Sequence, residues 1–417
     1  MSTVSAEITV FPGAPPRTGG FAAATTRLDS VDLLRGIIMV VMSLDHLREF
    51  LTYIPFTPED LSRTWPTLFF TRWITHFCAP LFFFLAGTGA YLRSTRGRST
   101  SEVSRFLWTR GLWLVALELT VLGFGWTFKP WFFAGVIWAL GLCMVLMAAL
   151  VRIPVRWLAV FGVAMIFLHN LLDPIQPERL GKFRWVWTIL HAPGFIPIAP
   201  QRGILIVLYV LIPLVGVMAA GYAFGALLRL PEERRRRTMF MIGLSATTLF
   251  VVLRATNFYG NPTNTPFPGA GPFIAQHSAV MSVLAFLSVE KYPPSLQFLL
   301  MTLGPGILAL AIFDRVRTER NAIARALIAF GRVPFFYYVI HIYVAHLIAV
   351  AVALAFHQPV TRILHGGFMF TPPEPGYGHG LPFIYVVWML MNVALYFPCR
   401  WYAEYKRTHR QWWLSYL

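Results

Sequence analysis

The stretch SVDLLRGIIMVVMSLDHLREFL, from Ser30 to Leu51, is a predicted membrane helix with charged residues at both ends and few polar groups between them. Arg35 lies near its start and His46 near its far end. Eleven positions along a helix correspond to about 20° of rotation and about 16 Å of rise, so both side chains lie on one face at different depths. Ionisable groups inside a bilayer are costly and usually face a cavity or a partner. We therefore place this helix at the centre of any functional site.

The whole chain is too apolar for a soluble protein. Of its 417 residues, 57% are hydrophobic and 13% are charged, and the mean hydropathy is +0.60. Long apolar runs separated by basic loops predict an all-α, polytopic membrane bundle, because a β-barrel would alternate polar and apolar residues. The net charge of +17 lies mostly in short loops, where it sets membrane topology, and does not indicate a nucleic-acid partner. The three cysteines lack metal-site spacing, so we predict neither a metal nor a disulfide.

The apolar runs predict about ten spans, each near the roughly 20 residues that a helix needs to cross a bilayer. The predicted spans are 31–51, 67–92, 106–126, 131–151, 155–172, 204–228, 238–255, 293–313, 333–356 and 381–402. With the N-terminus inside, every inner loop is basic, which predicts that both termini are cytoplasmic. We therefore expect a flexible cytoplasmic tail over 1–28, one transmembrane domain over 29–410 and a C-terminal cytoplasmic tail over 411–417.

The predicted outer loops, 173–203, 256–292 and 357–380, are long and rich in Pro, Gly, His and aromatic residues. Loops of this length are usually functional or disordered, and the aromatic content favours segments that fold over a site. Most histidines fall at or beyond the outer half of the chain's spans: His46, His76, His191, His277, His346, His357, His365 and His379. We therefore expect the chemistry on the outer side. Near the inner end of the ninth span, Gly331 and Pro334 predict a break in the helix.

The outer ends of the first two helices carry the first set of candidate residues. Asp45 beside His46 could hold the imidazole tautomer, although both could instead mark the membrane boundary. Arg72 and His76 are four residues apart on one face of the second helix, where a buried histidine would face the bundle interior. At the inner end, Asp32 is three residues from Arg35 and could pair with it. The pair could be a surface ion pair, or it could hold Arg35 in place for a ligand.

Three later stretches carry further candidates, each with a packing alternative. Arg254, Asn257 and Tyr259 end the seventh span and could form a polar lining or anchor the helix at the interface. Tyr337 and His341 share a face after the break at Gly331 and could line a site or pack in the bundle.

A carboxylate and a pair of glycines complete the candidates. Glu118 lies in the middle of a span, where it needs a proton or a partner. It would suit either a structural hydrogen bond or a proton-coupled transporter. Gly87 and Gly89 form a GTG that is more typical of close helix packing than of nucleotide binding.

Several stretches resemble a known family. Arg35 and His46 on the first helix resemble the arginine–histidine motif of the type-3 membrane acyltransferases. The surrounding sequence is similar to the bacterial relatives of heparan-α-glucosaminide N-acetyltransferase, in the transmembrane acyltransferase superfamily. The matching stretches, in order, are SVDLLRGIIMVVMSLDH, THFCAPLFFFLAG, LRATNFYGNP, KYPPSLQFLLMTLGP and GRVPFFYYVIHIYVAH.

The resemblance implies a helical bundle around a central pore and transfer of an acyl group, usually acetyl from acetyl-CoA, to an acceptor across the membrane. It implies His46 as the catalytic histidine and Arg35 as a donor-binding residue. The lysosomal member has Asn where His46 aligns, and its proposed catalytic histidine lies in the following loop. Residues 52–66 here contain no histidine. Catalysis at His46 therefore rests on the type-3 analogy, and heparan chemistry does not transfer.

The first hypothesis is a bacterial inner-membrane acyltransferase that uses acyl-CoA, a glycan or similar outer acceptor and no metal. Asp45 and His76 would assist His46, and Arg72, Arg254, Asn257, Tyr259, Tyr337 and His341 would bind substrate. The second is a proton- or solute-coupled transporter that uses Glu118 and the outer-half histidines, and the third is a non-catalytic membrane protein; a homodimer is left open. An acyltransferase predicts an arginine-lined inner pocket that reaches His46, whereas a transporter predicts a closed site around Glu118.

Overall fold

A computed structural model describes residues 28–130, 132–199, 203–262, 271–316, 321–365, 371–409 and 411–416. All of the predicted N-terminal tail except Leu28 lies outside these residues. The α-helices are α1 (Asp29–Leu51), α2 (Pro66–Trp73), α3 (Cys78–Ser94), α4 (Thr100–Leu117), α5 (Gly123–Thr127), α6 (Val136–Leu150), α7 (Val155–Leu168), α8 (Arg184–Leu190), α9 (Leu211–Leu227), α10 (Glu232–Thr256), α11 (Ala279–Leu287), α12 (Leu296–Phe313), α13 (Ala322–Arg332), α14 (Pro334–Ala355), α15 (Thr361–His365) and α16 (Leu381–Thr408). Shorter helical segments are Ile74–Phe77, Glu118–Leu122, His169–Leu172, Pro177–Phe183 and Trp412–Ser415.

The described residues confirm a mostly helical membrane protein. Seven helical stretches are long and apolar enough to cross a membrane: Pro66–Ser94, Thr100–Thr127, Val155–Leu172, Glu232–Thr256, Leu296–Phe313, Pro334–Ala355 and Leu381–Thr408. Helices α6 and α9 are apolar but shorter, and α1 carries six charged residues within its 23 positions. Each of the ten predicted spans overlaps a helix, although residues 204–207 of the sixth belong to a strand. The count of ten crossings and the cytoplasmic termini stay predictions.

Helix α1 lies inside the bundle. Most of its residues are buried, including the charged Asp32, Asp45 and Arg48, and it packs against α3, α12, α13, α14 and α16. Its contact with α13 requires two glycines, because a Cβ on Gly36 would lie 1.8 Å from the Leu327 carbonyl oxygen, and one on Gly331 would lie 1.8 Å from the Asp32 carbonyl oxygen. The two backbones therefore touch directly, which anchors the inner end of α1.

The predicted break near Gly331 is confirmed. Helix α13 ends at Arg332, Val333 has the non-helical dihedral angles φ −130° and ψ 49°, and Pro334 begins α14. Proline suits the first position of a helix because its missing N–H would have no partner there. The break lets α13 pack on the inner half of α1 while α14 packs along its outer half, where it meets His46.

The prediction that Gly87 permits close helix packing is also confirmed. A Cβ at Gly87 would lie 1.9 Å from the Met218 carbonyl oxygen of α9. At Gly89 the nearest atom would be Arg35 Nη2 at 4.0 Å, so this glycine faces the side chain of α1 rather than another backbone. Gly87 therefore lets α3 pack closely on α9, and Gly89 leaves space for the Arg35 side chain.

A small sheet interrupts the otherwise helical chain and was not predicted. Strands β1 (Phe133–Ala134), β2 (Gly194–Ala199) and β3 (Gly203–Val207) pair in the order β1-β3-β2, parallel between β1 and β3 and antiparallel between β2 and β3. Through this pairing, the end of the predicted outer loop 173–203 lies beside the start of α6. Part of the predicted C-terminal tail also packs on the bundle, where the Tyr416 hydroxyl lies 2.8 Å from the Thr109 hydroxyl of α4.

Candidate active site

His46 and His341 form a hydrogen-bonded pair between α1 and α14. His46 Nδ1 lies 2.7 Å from His341 Nε2, and His341 Nδ1 lies 3.0 Å from the Tyr337 carbonyl oxygen. A carbonyl only accepts, so His341 Nδ1–H donates to Tyr337, and in the neutral ring Nε2 must accept. His46 Nδ1–H is then the donor to His341. This chain of two bonds leaves the lone pair on His46 Nε2.

Two aromatic rings pack against His46. Trp126 stands edge-on at 4.8 Å between ring centroids, and Tyr338 stands edge-on at 6.1 Å. The His46 side chain is only half-buried, whereas His341 is fully buried. His341 is therefore suited to position the other ring, and His46 is the member of the pair that a substrate can reach.

A cavity of about 560 Å³ opens at the end of the bundle that the sequence predicts to face the cytoplasm. Its basic lining residues are Arg35, Arg93, Arg96, Arg110, Arg229, Arg235, Arg332 and Lys406. Asp32 is the acidic lining residue, and it accepts a hydrogen bond of 3.1 Å from Arg35. Arg35 also approaches the Gly331 carbonyl at 3.4 Å. Tyr338 lines this cavity, and its ring centroid lies 6.1 Å from that of His46, so the basic cavity extends to a direct neighbour of the histidine.

A second cluster of charges surrounds Asp45 on the outer side. Asp45 accepts hydrogen bonds from Arg72 and, at 3.1 Å, from Arg48. Arg72 Nε also donates to Glu59 at 3.0 Å, and His76 Nε2 lies 3.1 Å from the same carboxylate oxygen. Asp45 therefore pairs with two arginines, and the partner of His46 is His341 rather than its neighbour in sequence. No hydrogen bond or ring contact joins His76 to His46 among the described residues.

Glu59 lies in the loop between α1 and α2, outside the spans. Burial alone would raise its pKa, but Arg72 and the hydrogen bond from His76 hold the pKa well below its usual value. Glu59 is thus a fixed anion, and it ties Arg72 and His76 to the loop. His76 is 2% exposed and its Nδ1 makes no hydrogen bond within the described ranges.

Tyr337 packs against His341 and connects it to a buried polar network. Its ring stacks on His341 at 5.2 Å, and its hydroxyl donates to the Asn392 side chain at 2.6 Å. Asn392 also donates to Ser43 Oγ of α1 at 3.2 Å. This buried polar network ties α1, α14 and α16 together and holds His341 in one position.

Arg254, Asn257 and Tyr259, predicted as substrate-binding residues, make packing contacts in the structure. The Arg254 guanidinium is 1% exposed, and it donates to the carbonyl oxygens of Gly271, Ala285, Phe286 and Ser288. Asn257 ends α10 in the left-handed conformation and pairs with the Phe273 backbone. The Tyr259 hydroxyl donates to the Phe167 carbonyl at 2.8 Å. These contacts clamp the end of α11, and none links the three residues to His46.

Glu118 has a structural explanation. Its Oε2 accepts from the backbone N–H groups of Ile137 at 3.0 Å and Trp138 at 3.2 Å. Those groups belong to the first turn of α6, whose N-cap residue is Gly135. Glycine has no side chain that could cap the helix, so the Glu118 carboxylate caps it instead. A buried carboxylate with this task does not need a transport role.

Two outer residues near the site were missed. Lys291 and Tyr292 follow α11 on a buried segment that ends at Ser295, which caps α12. The Tyr292 hydroxyl lies 3.4 Å from that of Tyr209. The signal was present in the stretch KYPPSLQFLL, where a lone lysine precedes two prolines and a strongly apolar run. Within the parts of the chain that the structure covers, no group of His, Cys, Asp and Glu is arranged to hold a metal.

The model of the family described as heparan-alpha-glucosaminide N-acetyltransferase, catalytic, matches residues 27–262, which is more than half of the chain. The chain belongs to this family. A search of curated proteins gives no match. The matched segment includes Arg35, His46, Arg72 and His76. His341 and Lys291 lie beyond the matched residues, and only the fold brings them to the site.

Proposed function

We propose that the protein is a membrane acyltransferase that moves an acyl group, with acetyl as the first candidate, from cytoplasmic acyl-CoA to an extracytoplasmic acceptor such as a glycan. Family membership supports a membrane transferase. The observation that carries the finer proposal is that Tyr338, which lines the basic cavity, stands next to His46. The expected location is a bacterial inner membrane.

The basic cavity suits the donor. Coenzyme A carries phosphates at one end and a thioester at the end of a long flexible arm. Arginines recognise phosphate with paired, charge-assisted hydrogen bonds, and this cavity has eight basic lining residues against one acidic residue. Its volume of about 560 Å³ lies within the usual range of ligand sites. In this arrangement the phosphates would stay at the mouth while the arm passes Arg35 towards Tyr338 and His46.

The histidine pair suits the chemistry. As the acceptor hydroxyl or amine attacks the thioester carbon, His46 Nε2 takes its proton, and the new C–O or C–N bond forms. The carbonyl oxygen then carries the negative charge. When the tetrahedral intermediate collapses, the C–S bond breaks, and the His46 imidazolium returns the proton to the thiolate of coenzyme A. His341 accepts from His46 Nδ1–H throughout and so stabilises the imidazolium.

A second route uses the same nitrogen. His46 Nε2 can attack the thioester itself, so that an N–C bond forms, the C–S bond breaks and coenzyme A leaves as a thiolate. The acceptor then attacks the acyl carbon, the N–C bond breaks, and the acceptor proton passes to the thiolate. Both routes require the Nε2 lone pair, so the orientation imposed by His341 favours both. Trapping an acyl-histidine by rapid acid quench and mass spectrometry would distinguish them.

The transporter alternative has less support. It used Glu118 and the outer-half histidines, and Glu118 already accepts hydrogen bonds from two N–H groups of α6, which account for its carboxylate.

The test is acyl-CoA turnover by protein purified in detergent, measured as release of free CoA with a panel of glycan acceptors. Wild type should turn over acetyl-CoA, and His46→Ala should lose turnover while it retains acyl-CoA binding. His277→Ala, at an exposed outer histidine, is the matched control and should retain wild-type activity. If wild type neither binds nor turns over acyl-CoA, the proposed donor is wrong. If His46→Ala turns over at the wild-type rate, the proposed base is wrong.

A further inference from the structure

The buried outer segment from Ser288 to Ser295 carries a lysine that the mechanism above has not used. Lys291 is only 9% exposed. Among the described residues, no carboxylate lies within ion-pair distance of its Nζ and no hydrogen bond is formed by it; its nearest aromatic contact is the Tyr292 ring at 5.2 Å. Burying an ammonium group without a direct partner is costly, and such groups are usually functional.

The segment holds Lys291 in a fixed place. The Glu290 N–H donates to Asn261 at 2.8 Å, and the Tyr292 N–H donates to Glu290 at 2.8 Å. On the far side, the Pro294 carbonyl lies 2.9 Å from His169 Nε2. Non-helical backbone at membrane depth is tolerated only where protein or a cavity satisfies it, and these bonds satisfy it. Lys291 is therefore set on a rigid support.

The charges nearby explain why Lys291 can stay unpaired. Its charge acts on the Asp45, His46, Glu59 and His76 side chains, so it belongs to the same group of charges as Asp45. Arg48 and Arg72 already bind Asp45, Glu49 and Glu59 directly. Lys291 adds a further positive charge to this cluster at longer range. Its ammonium hydrogens remain available to a ligand.

The reaction proposed above needs such a donor. Negative charge develops on the thioester carbonyl oxygen, and no group assigned so far receives it. Arg72 is held by two carboxylates, while Asn257 and Tyr259 are engaged in packing. Donors placed in advance at a developing oxyanion commonly give the largest electrostatic contribution to acyl transfer.

We propose that Lys291 donates a hydrogen bond to the carbonyl oxygen of the acyl group as His46 acts on it. This inference rests on the proposed acyl transfer. The ammonium keeps all its protons, while His46 Nε2 moves the acceptor proton and the C–S bond breaks as described. Lys291 thus stabilises the oxyanion from the outer side, opposite the cavity through which the donor enters.

The experiment compares Lys291→Met with Lys291→Arg and with Lys129→Met. Lys129 is an exposed lysine on an outer loop and serves as the matched control. For each variant we would measure kcat, the KM of the acceptor, the dissociation constant of acyl-CoA and the temperature of unfolding. Loss of one oxyanion donor lowers kcat by about 10²- to 10³-fold. Lys291→Met should show a loss of that size with acyl-CoA binding unchanged, and Lys291→Arg should retain part of the activity.

Several results would overturn the proposal. A kcat for Lys291→Met close to that of the control would mean that Lys291 does not act in catalysis. A raised acceptor KM with unchanged kcat would make it an acceptor-binding residue instead. If Lys291→Met does not fold, Lys291→Gln takes its place, and failure of both would make the lysine structural. Wild type without acyl transfer would refute the proposed function as well, whereas an active wild type with an active Lys291→Met refutes this inference alone.

Discussion

Replacing His341 with alanine tests how the fold prepares His46. The substitution removes the acceptor of His46 Nδ1–H, which now lies 2.7 Å from His341 Nε2. A buried donor left without its partner costs about 1–3 kcal/mol. If that energy is lost in positioning the base, kcat falls by about 5- to 150-fold, since each 1.36 kcal/mol is a factor of ten in rate. The KM of acyl-CoA should change little, because His341 does not line the basic cavity.

The assay is steady-state acyl transfer at saturating acyl-CoA, with His46→Ala and His277→Ala measured beside His341→Ala. His46→Ala should lose more activity than His341→Ala, and His277→Ala should lose none. Thermal unfolding in the same detergent checks that the small cavity left by alanine has not unfolded the bundle. A kcat for His341→Ala within about twofold of wild type would refute the argument that this hydrogen bond positions the base, because the expected loss is at least fivefold.

Three further substitutions test the cavity, the packing of α1 and the capping of α6. Arg110→Gln removes a cation from the cavity lining and should raise the KM of acyl-CoA about tenfold at low salt. The increase in KM should be smaller at high salt, and Arg98→Gln, at an exposed arginine, is the control. Gly331→Ala forces a Cβ to within 1.8 Å of the Asp32 carbonyl and should lower the temperature of unfolding by several degrees, whereas Gly271→Ala, with open space around it, should not. Glu118→Ala should lower the free energy of unfolding by about 1–3 kcal/mol, while Glu118→Gln should keep acyl transfer, contrary to a proton-carrying role.

The patterns along single helices were predictable from the sequence. Arg35 and His46 lie on one buried helix because a period of 3.6 residues and the cost of charge in a membrane leave few alternatives. The break at Val333 followed from Pro334, whose ring cannot continue a helix. Family membership was predictable because five stretches matched in order, and the match over residues 27–262 confirms it.

Contacts between helices were not predictable in the same way. Periodicity showed that His341 shares a face with Tyr337, but not that this face meets His46, which is 295 residues away in the chain. Asp45 adjoins His46 in sequence, yet successive helical residues point about 100° apart, so it turns to Arg48 and Arg72 instead.

The partners of two buried polar groups were not predictable for a physical reason. Arg254 and Glu118 both satisfy backbone groups, the first at the end of α11 and the second at the start of α6. A sequence shows that such a side chain needs a partner, but not that the partner is a carbonyl or an N–H group of another segment. Lys291 was missed because a lysine near the outer end of a span usually reaches water, and here the chain folds it inward.

The most direct test of the account is vectorial transfer in proteoliposomes. Protein is reconstituted, its orientation is determined by protease access to the exposed inner loop at Arg98, and labelled acyl-CoA is added to the side of the basic cavity with the glycan acceptor only on the other side. We predict that label appears on the acceptor across the membrane and that His46→Ala abolishes it. Transfer only when donor and acceptor share one side, or equal transfer by His46→Ala, would contradict the claim that acyl groups pass from the basic cavity to the outer side at His46.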